Sequence, residues 1–192
     1  LKLQGWEFRT APWYEANQAI AELSRGLTVG ADSAYPGAKN LAVELSRERA
    51  NLTPEEGDKF RELGQICAAA MDEAIHAVQP GLTEFEIAAI LAQAAEKRGA
   101  QAIVNLIATD ERIFKFRHPL PTGKKLEKYA MLVLCGRQRG LVCSITRLVH
   151  FGPLPAELHA KSQAVAAIDA AMMANTRPGT TLAQVFADTQ AA

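Results

Sequence analysis

Leu141-Val142-Cys143-Ser144-Ile145-Thr146-Arg147-Leu148-Val149-His150-Phe151, LVCSITRLVHF, is rich in β-branched and aromatic residues and is bounded by Gly140 and Gly152-Pro153. That composition and those flanks predict a β-strand. Side chains alternate along a strand, so one side carries Ser144, Thr146 and His150 and the other carries Cys143 and Arg147. A core strand buries cleaner faces. The polar row therefore marks a site, the remains of one, or a solvated edge.

Working outward, Ala130–Gly136 reads as a second strand, joined to the first by a tight turn at Arg137-Gln138-Arg139-Gly140. A three-residue hairpin loop wants glycine last, where φ is positive. Gly140 fills that place if Arg137 pairs with Leu141. The register then sets Cys135 opposite Cys143 and Leu134 opposite Ser144. Gln101 to Thr109 reads as a third strand, followed by the basic loop ERIFKFRHPLPTGKKLEK, residues 111–128.

Two helices precede these strands. Thr53-Pro54-Glu55-Glu56 is a helix start: threonine caps, proline takes the first helical position and a glutamate completes the box. Phe60, Leu63, Cys67, Ala70, Met71, Ala74, Ile75 and Val78 then recur at helical spacing up to Pro80-Gly81. Thr83 with Glu86 opens the next helix, whose apolar side is read as Phe85, Ile87, Ile90, Leu91 and Ala94, ending at Gly99. Residues 1–50 hold an aromatic-rich opening, a short helix ending near Gly26, a short strand at Thr28–Asp32 and the turn-rich SAYPGAKN. This region is too small to fold well by itself.

After the hairpin a long helix is predicted from Pro155-Ala156-Glu157 to about Ala174, then a joint at Arg177-Pro178-Gly179 and a further helix capped by Thr181. QPGLTEFEIAAI (79–90) and RPGTTLAQVFAD (177–188) share this joint, each after a long alanine-rich helix. The pattern predicts a duplicated helix–helix–strands unit whose second copy stops at Ala192, where its strands are due; the alternative is a common helix–helix joint used twice. The chain opens at Leu1 rather than methionine, which reads as a front that has been removed.

The bulk numbers exclude several classes. Hydrophobic content is 48% and Lys plus Arg equals Asp plus Glu at 21 each, so a sizeable core is expected and no nucleic-acid or membrane partner is indicated. No apolar run approaches a membrane span and no signal peptide opens the chain. Three cysteines, Cys67, Cys135 and Cys143, make no disulfide framework and predict a reducing, cytoplasmic location.

The order of a capped long helix, PGLTEFE, a helix ending in RGA, a strand, His118, KLEKYAMLVLCG and SITR resembles the family of creatinase, prolidase, aminopeptidase P and methionine aminopeptidase. The resemblance implies the α/β (α+β) pita-bread fold, incomplete at its C-terminal part. Residues 1–50 would be the tail of a smaller N-terminal domain and residues 51–192 the first part of the pita-bread domain. In active metallopeptidases of this family, aspartates on the two hairpin strands begin a dinuclear metal site, which an HGxGH histidine and two glutamates further along complete. Carboxylate oxygens suit hard divalent ions. Here Ser144 stands at the second aspartate's place. Cys135 or Val133 stands at the first, depending on the direction of counting, and no Asp or Glu lies between Glu127 and Glu157.

The resemblance makes His118 the candidate catalytic and substrate-contacting histidine; its alternative is a structural role beside Pro119. Ser144 and Arg147 are the other candidate substrate-binding residues, with Arg147 also read as an anchor. No metal or other cofactor is expected; the alternatives are manganese, cobalt or zinc, with zinc held by Cys135, Cys143 and His118. His76 and His159 are read as exposed or locally bonded, and His150 as a cleft residue or a strand end. Nine basic residues fall between Arg112 and Arg147 with Glu127 as the one acid among residues 113–146, which predicts either an anionic small-molecule or peptide ligand or charges balanced from elsewhere. The implied function is an aminopeptidase P/prolidase-like homologue that is not a competent dinuclear metallopeptidase and that binds a small molecule or peptide, or acts by metal-free chemistry. The alternatives are an active Xaa-Pro aminopeptidase or dipeptidase with altered ligands and a noncatalytic protein-interaction module. Unpaired strand edges predict either further residues or a homodimer that covers them.

Overall fold

The computed structural model describes residue 5 and residues 8–191. Trp6 of the aromatic opening and Ala192 lie outside the described residues. The chain divides into two compact units, Leu1–Gly57 and Asp58–Ala192.

The first unit holds helix α1 (Ala16–Leu23), a two-stranded parallel pair of β1 (Gly30–Ala31) and β2 (Lys39–Asn40), and helix α2 (Ala42–Ala50). Helix α2 was not expected from the sequence; its first turn carries Glu44 and its last turn carries Arg47 and Arg49, which match the helix dipole. None of the described residues of this unit is buried. An exposed pair, Arg49 Nη1 to Asp32 at 2.8 Å, ties its strand and helix.

Helix α3 (Pro54–Ala77) starts as predicted: the Thr53 N–H donates to Glu56 Oε2 at 2.8 Å and the Glu56 N–H donates to Thr53 Oγ1 at 3.2 Å. Helix α4 (Glu84–Glu96) repeats the capping box at Thr83 and Glu86. Both helices lie on one face of a three-stranded antiparallel sheet, β3 (Gln101–Thr109), β4 (Tyr129–Gln138) and β5 (Leu141–His150), in that spatial order. The core forms between the two layers. Leu63, Cys67 and Met71 of α3 and Ile87 and Leu91 of α4 meet Ile107, Leu132 and Leu134 of the sheet. Burying each of the larger side chains contributes about 1.5–3 kcal/mol.

The hairpin departs from the expected register. Gln138 pairs with Leu141, leaving a two-residue turn with Arg139 at φ 51° and Gly140 at φ 82°. Two consecutive positive φ values make the turn whose twist suits a right-twisted hairpin. Cys135 therefore faces Ser144, and Gly136 faces Cys143.

After β5 come α6 (Ala156–Asn175) and α7 (Leu182–Gln190). The two Pro-Gly joints adopt the same geometry: Gly81 and Gly179 have φ of 95° and 88°, and Thr83 and Thr181 each accept a backbone N–H three residues on at 3.2 Å. No helix among the described residues is long and apolar enough to cross a membrane.

Candidate functional site

The face of the sheet turned away from α3 and α4 carries the candidate site. Along β4, Ala130, Leu132, Leu134 and Gly136 are buried toward the helices. Tyr129, Met131, Val133 and Cys135 therefore point the other way, opposite His150, Leu148, Thr146 and Ser144 of β5. The polar row of the opening strand thus lies on one open face. Cys135 Sγ and Ser144 Oγ sit 3.1 Å apart at its centre. Val133 and Cys135, the two candidates for the first aspartate's position, share this face with Ser144.

Cys143 is on the opposite face. Gly136 leaves room there for the Cys67 sulfur, which a Cβ at position 136 would overlap. The Cys67 sulfur also lies 4.0 Å from the Cys143 carbonyl oxygen. Burial first, and the neighbouring Cys143 second, push the Cys67 thiol up to about 11. The expected trio of Cys135, Cys143 and His118 is not assembled: strand alternation sends the two cysteines to opposite faces. Arg147 likewise leaves Ser144, bonding the Thr146 carbonyl at 2.7 Å on the side that faces Ala68, Asp72 and Ile75 of α3.

His118 is exposed and makes no hydrogen bond to either strand residue. Its position is set by the loop between α5 (Glu111–Lys115) and β4, and that loop is fastened by a buried carboxylate. Glu84 is 0% exposed. Its Oε1 accepts from the Thr109 N–H at 2.9 Å, Thr109 Oγ1 at 3.0 Å and Arg112 Nε at 2.9 Å. Its Oε2 accepts from the Thr122 N–H at 2.9 Å and Thr122 Oγ1 at 2.6 Å. Arg112 also donates to the Leu120 carbonyl at 2.9 Å and lies over the Phe116 ring. Phe85, expected on the apolar side of α4, is instead 60% exposed. Ile87, Leu91 and Ala94 fix the helix phase, and position 84 is the one that faces inward with them.

A second carboxylate closes the other end of the loop. Asp110 sits at φ 52°, and its side chain accepts from the backbone N–H groups of Glu127, Lys128 and Tyr129 at 2.9–3.0 Å. Burial raises its pKa, but the three N–H donors together outweigh that and hold the carboxyl below its ordinary value. The basic run is partly balanced from elsewhere, as one of the two expectations had it: Arg112 by Glu84, Lys124 by Glu111 and Asp110, and Arg139 by Glu62. His76 bonds the Asp72 carbonyl on its own helix, and His159 is exposed. His150 is both the last residue of β5 and part of a cleft wall.

A dinuclear centre for hard divalent ions needs several oxygen ligands, mainly carboxylates. The open face offers Val133, Cys135, Ser144 and Thr146 where such ligands would stand. Among the described residues, no three His, Cys, Asp or Glu side chains are grouped to hold a metal. The residues present do not fit that centre.

The model of metallopeptidase family M24 matches residues 58–192. Compared with curated protein sequences, the chain finds no match. Among solved structures it is similar to the prolidase from Pyrococcus furiosus, with TM-score 0.80 and 17% identity over 96% of this chain and 58% of that one. It is similar also to proline aminopeptidase P II from Yersinia pestis, with TM-score 0.80 and 20% identity over 95% of this chain and 49% of that one. The X-Pro aminopeptidase from Thermotoga maritima MSB8 gives TM-score 0.76 and 18% identity over 96% and 58%. The chain spans about half the length of these structures. Its mixed α/β architecture is the pita-bread arrangement that the sequence order implied, and with the family model covering its sheet and the helices on either side of it in sequence, the chain belongs to metallopeptidase family M24.

Proposed function

We propose that this chain is an aminopeptidase P/prolidase-like homologue that binds a small molecule or peptide on the open sheet face without a dinuclear metal centre. One observation carries the reading: the middle of that face is Val133, Cys135, Ser144 and Thr146, with no carboxylate. Two neutral hydrogen-bonding side chains 3.1 Å apart can hold a polar ligand group, whereas dications there would find no carboxylate on the two hairpin strands. On this reading Ser144 and Cys135 contact the ligand, and His118 reaches it from the loop that Glu84 and Asp110 fasten. Arg117 and Lys128 of the same loop have no ion pair among the described residues, which favours an anionic ligand or a peptide carboxylate. Three unpaired cysteines fit a reducing, cytoplasmic setting.

The test is metal content by elemental mass spectrometry after incubation with manganese, cobalt and zinc, paired with hydrolysis of an Xaa-Pro dipeptide. The expected result is no stoichiometric metal and no metal-dependent hydrolysis. Roughly two hard ions per chain, or turnover that follows added manganese or cobalt, would overturn the reading in favour of an active Xaa-Pro peptidase.

A second reading, a protein-interaction module, draws support from the apolar side chains that α6 and α7 expose, among them Val165, Ile168, Met173, Leu182 and Phe186. The free edge of β5, ten residues with Arg147 as its one lysine or arginine and no proline, supports association into a homodimer. Light scattering coupled to size exclusion distinguishes a dimer from a monomer.

A further inference from the structure

At the far end of the open face, three rings stand in a row. Tyr129 opens β4 and pairs with His150, the last residue of β5, their ring centres 5.7 Å apart. The short helix α5 brings Phe114 to 6.1 Å from Tyr129 on its other side. Helix α6 passes in front of these rings with Leu158 and Val165. The space between is a cleft of about 370 Å³, with Leu148 and Leu154 in its wall. It adjoins a second cleft of about 410 Å³ that shares Phe114, Tyr129, His150 and Leu158. Each is at the small end of the range for organic ligands.

Asp110, Glu111 and Glu157 line the second cleft and Lys161 lines the first, while Lys124 pairs with Asp110 and Glu111. Asp110 is committed to three backbone N–H groups. Glu111 pairs with Lys124 through Oε2, and Glu157 pairs with Lys161 through Oε1. Glu111 also accepts a backbone hydrogen bond, whereas Glu157 has only the Lys161 pair and keeps its other oxygen to accept a hydrogen bond. Both are at least half exposed, so they stand at the mouth while the rings form the interior. Burial raises the Tyr129 phenol above its ordinary value, so the ring row adds no negative charge of its own near neutral pH.

A ligand for this space needs an apolar or aromatic body for Leu148, Leu158 and the rings. It also needs a positive end for the faces of the rings and the remaining Glu157 oxygen. An anion in the second cleft would meet these carboxylates, with Lys124 and Lys161 already paired to them. We propose that this cleft is a binding site for a small organic ammonium carrying an aromatic or branched apolar body. The site is separate from the Cys135–Ser144 pair: Ser144 and His150 are six residues apart on β5, a span of about 20 Å. It does not depend on the reading of that pair.

The experiment is calorimetric titration of the whole chain with phenethylammonium, phenylacetate and ethylammonium. The second probe keeps the body and reverses the charge; the third keeps the charge and drops the body. Phenethylammonium is expected to bind saturably, at least about tenfold tighter than either of the others. Ring-proton shifts of Tyr129 and His150 in NMR should move with the same dissociation constant. Phe114 is 64% exposed, so Phe114→Ala should keep the fold, checked by circular dichroism, while weakening binding about fivefold to tenfold. Glu111→Gln with Glu157→Gln alters two carboxylates that are at least half exposed and should weaken phenethylammonium while leaving phenylacetate no weaker, with the fold checked by circular dichroism. Absence of saturable binding, equal or tighter binding of phenylacetate, or full affinity in both variants would each overturn the proposal.

Discussion

Replacing Glu84 should loosen the whole loop that carries His118. Glu84→Ala removes the acceptor for five donors and leaves Arg112, whose side chain is 19% exposed, without its partner. Breaking a buried pair from one side costs about 3–5 kcal/mol, because the remaining charge stays desolvated. That is a large fraction of a domain's total stability, about 5–15 kcal/mol. Glu84→Gln keeps one oxygen acceptor but turns an amide NH₂ toward either the Arg112–Thr109 donors or the Thr122 N–H. It should cost about 1.5–3 kcal/mol. Urea unfolding followed by circular dichroism at neutral pH measures both. Hydrogen exchange at the Thr109 and Thr122 amides reports whether the loss is local. The double replacement Glu84→Leu with Arg112→Met removes both charges and should recover the part of the deficit due to the unpaired Arg112, but not the part due to the Thr109 and Thr122 donors left without an acceptor. A loss below about 1 kcal/mol for Glu84→Ala, with both amides as protected as before, would refute the role given to this carboxylate.

Gly136→Ala should destabilise by about 1–3 kcal/mol, because its methyl would overlap the Cys67 sulfur in a packed layer. Adding Cys67→Ala should restore part of that loss, and strictly additive unfolding energies would contradict the close approach of α3 to β4. Asp110→Asn tolerates the positive φ but loses an acceptor among the three N–H groups. Because the folded carboxyl is held below its ordinary value, its contribution is present above the unfolded value near 3.9 and fades as pH falls toward the folded value. The stability gap between wild type and Asp110→Asn, followed by thermal melting from pH 7 to pH 3, should therefore narrow at the acid end; a gap that widens there would contradict the assignment.

The elements whose signals are local were legible in the sequence. Both threonine–glutamate boxes set helix starts, and the spacing of Leu63, Cys67, Ala70, Met71 and Ala74 gave the buried side of α3. Strand β3 runs from Gln101 to Thr109 as read. What failed were choices that depend on partners distant in sequence. Glu84 stood out in no sequence pattern, and only Thr109, Arg112 and Thr122 arriving together make its burial possible. That Arg112 and Arg139 would be balanced from elsewhere was one of two expectations, but the partners, Glu84 and Glu62, could not be named from the sequence.

The hairpin register is the most instructive of these. Gly140 satisfies either a three-residue loop or a two-residue one, so turn chemistry alone does not choose. The choice matters because a slip of one residue exchanges the two faces of β5. Pairing Arg137 with Leu141 would have turned Ser144 inward beside Leu134 and sent Ile145 and Val149 to the open face. In the observed register Leu134 faces Ile145 and Ala130 faces Val149 against the helices, while Ser144, Thr146 and His150 stay out of the core. Strand β4 is apolar on both sides and could not decide this. The alternation in β5 could, since only one register buries its apolar residues and leaves its hydroxyls free to bond. The same choice separates Cys135 from Cys143, so the loss of the proposed zinc trio and the placement of Cys135 beside Ser144 follow from a single turn in which Arg139 takes a positive φ.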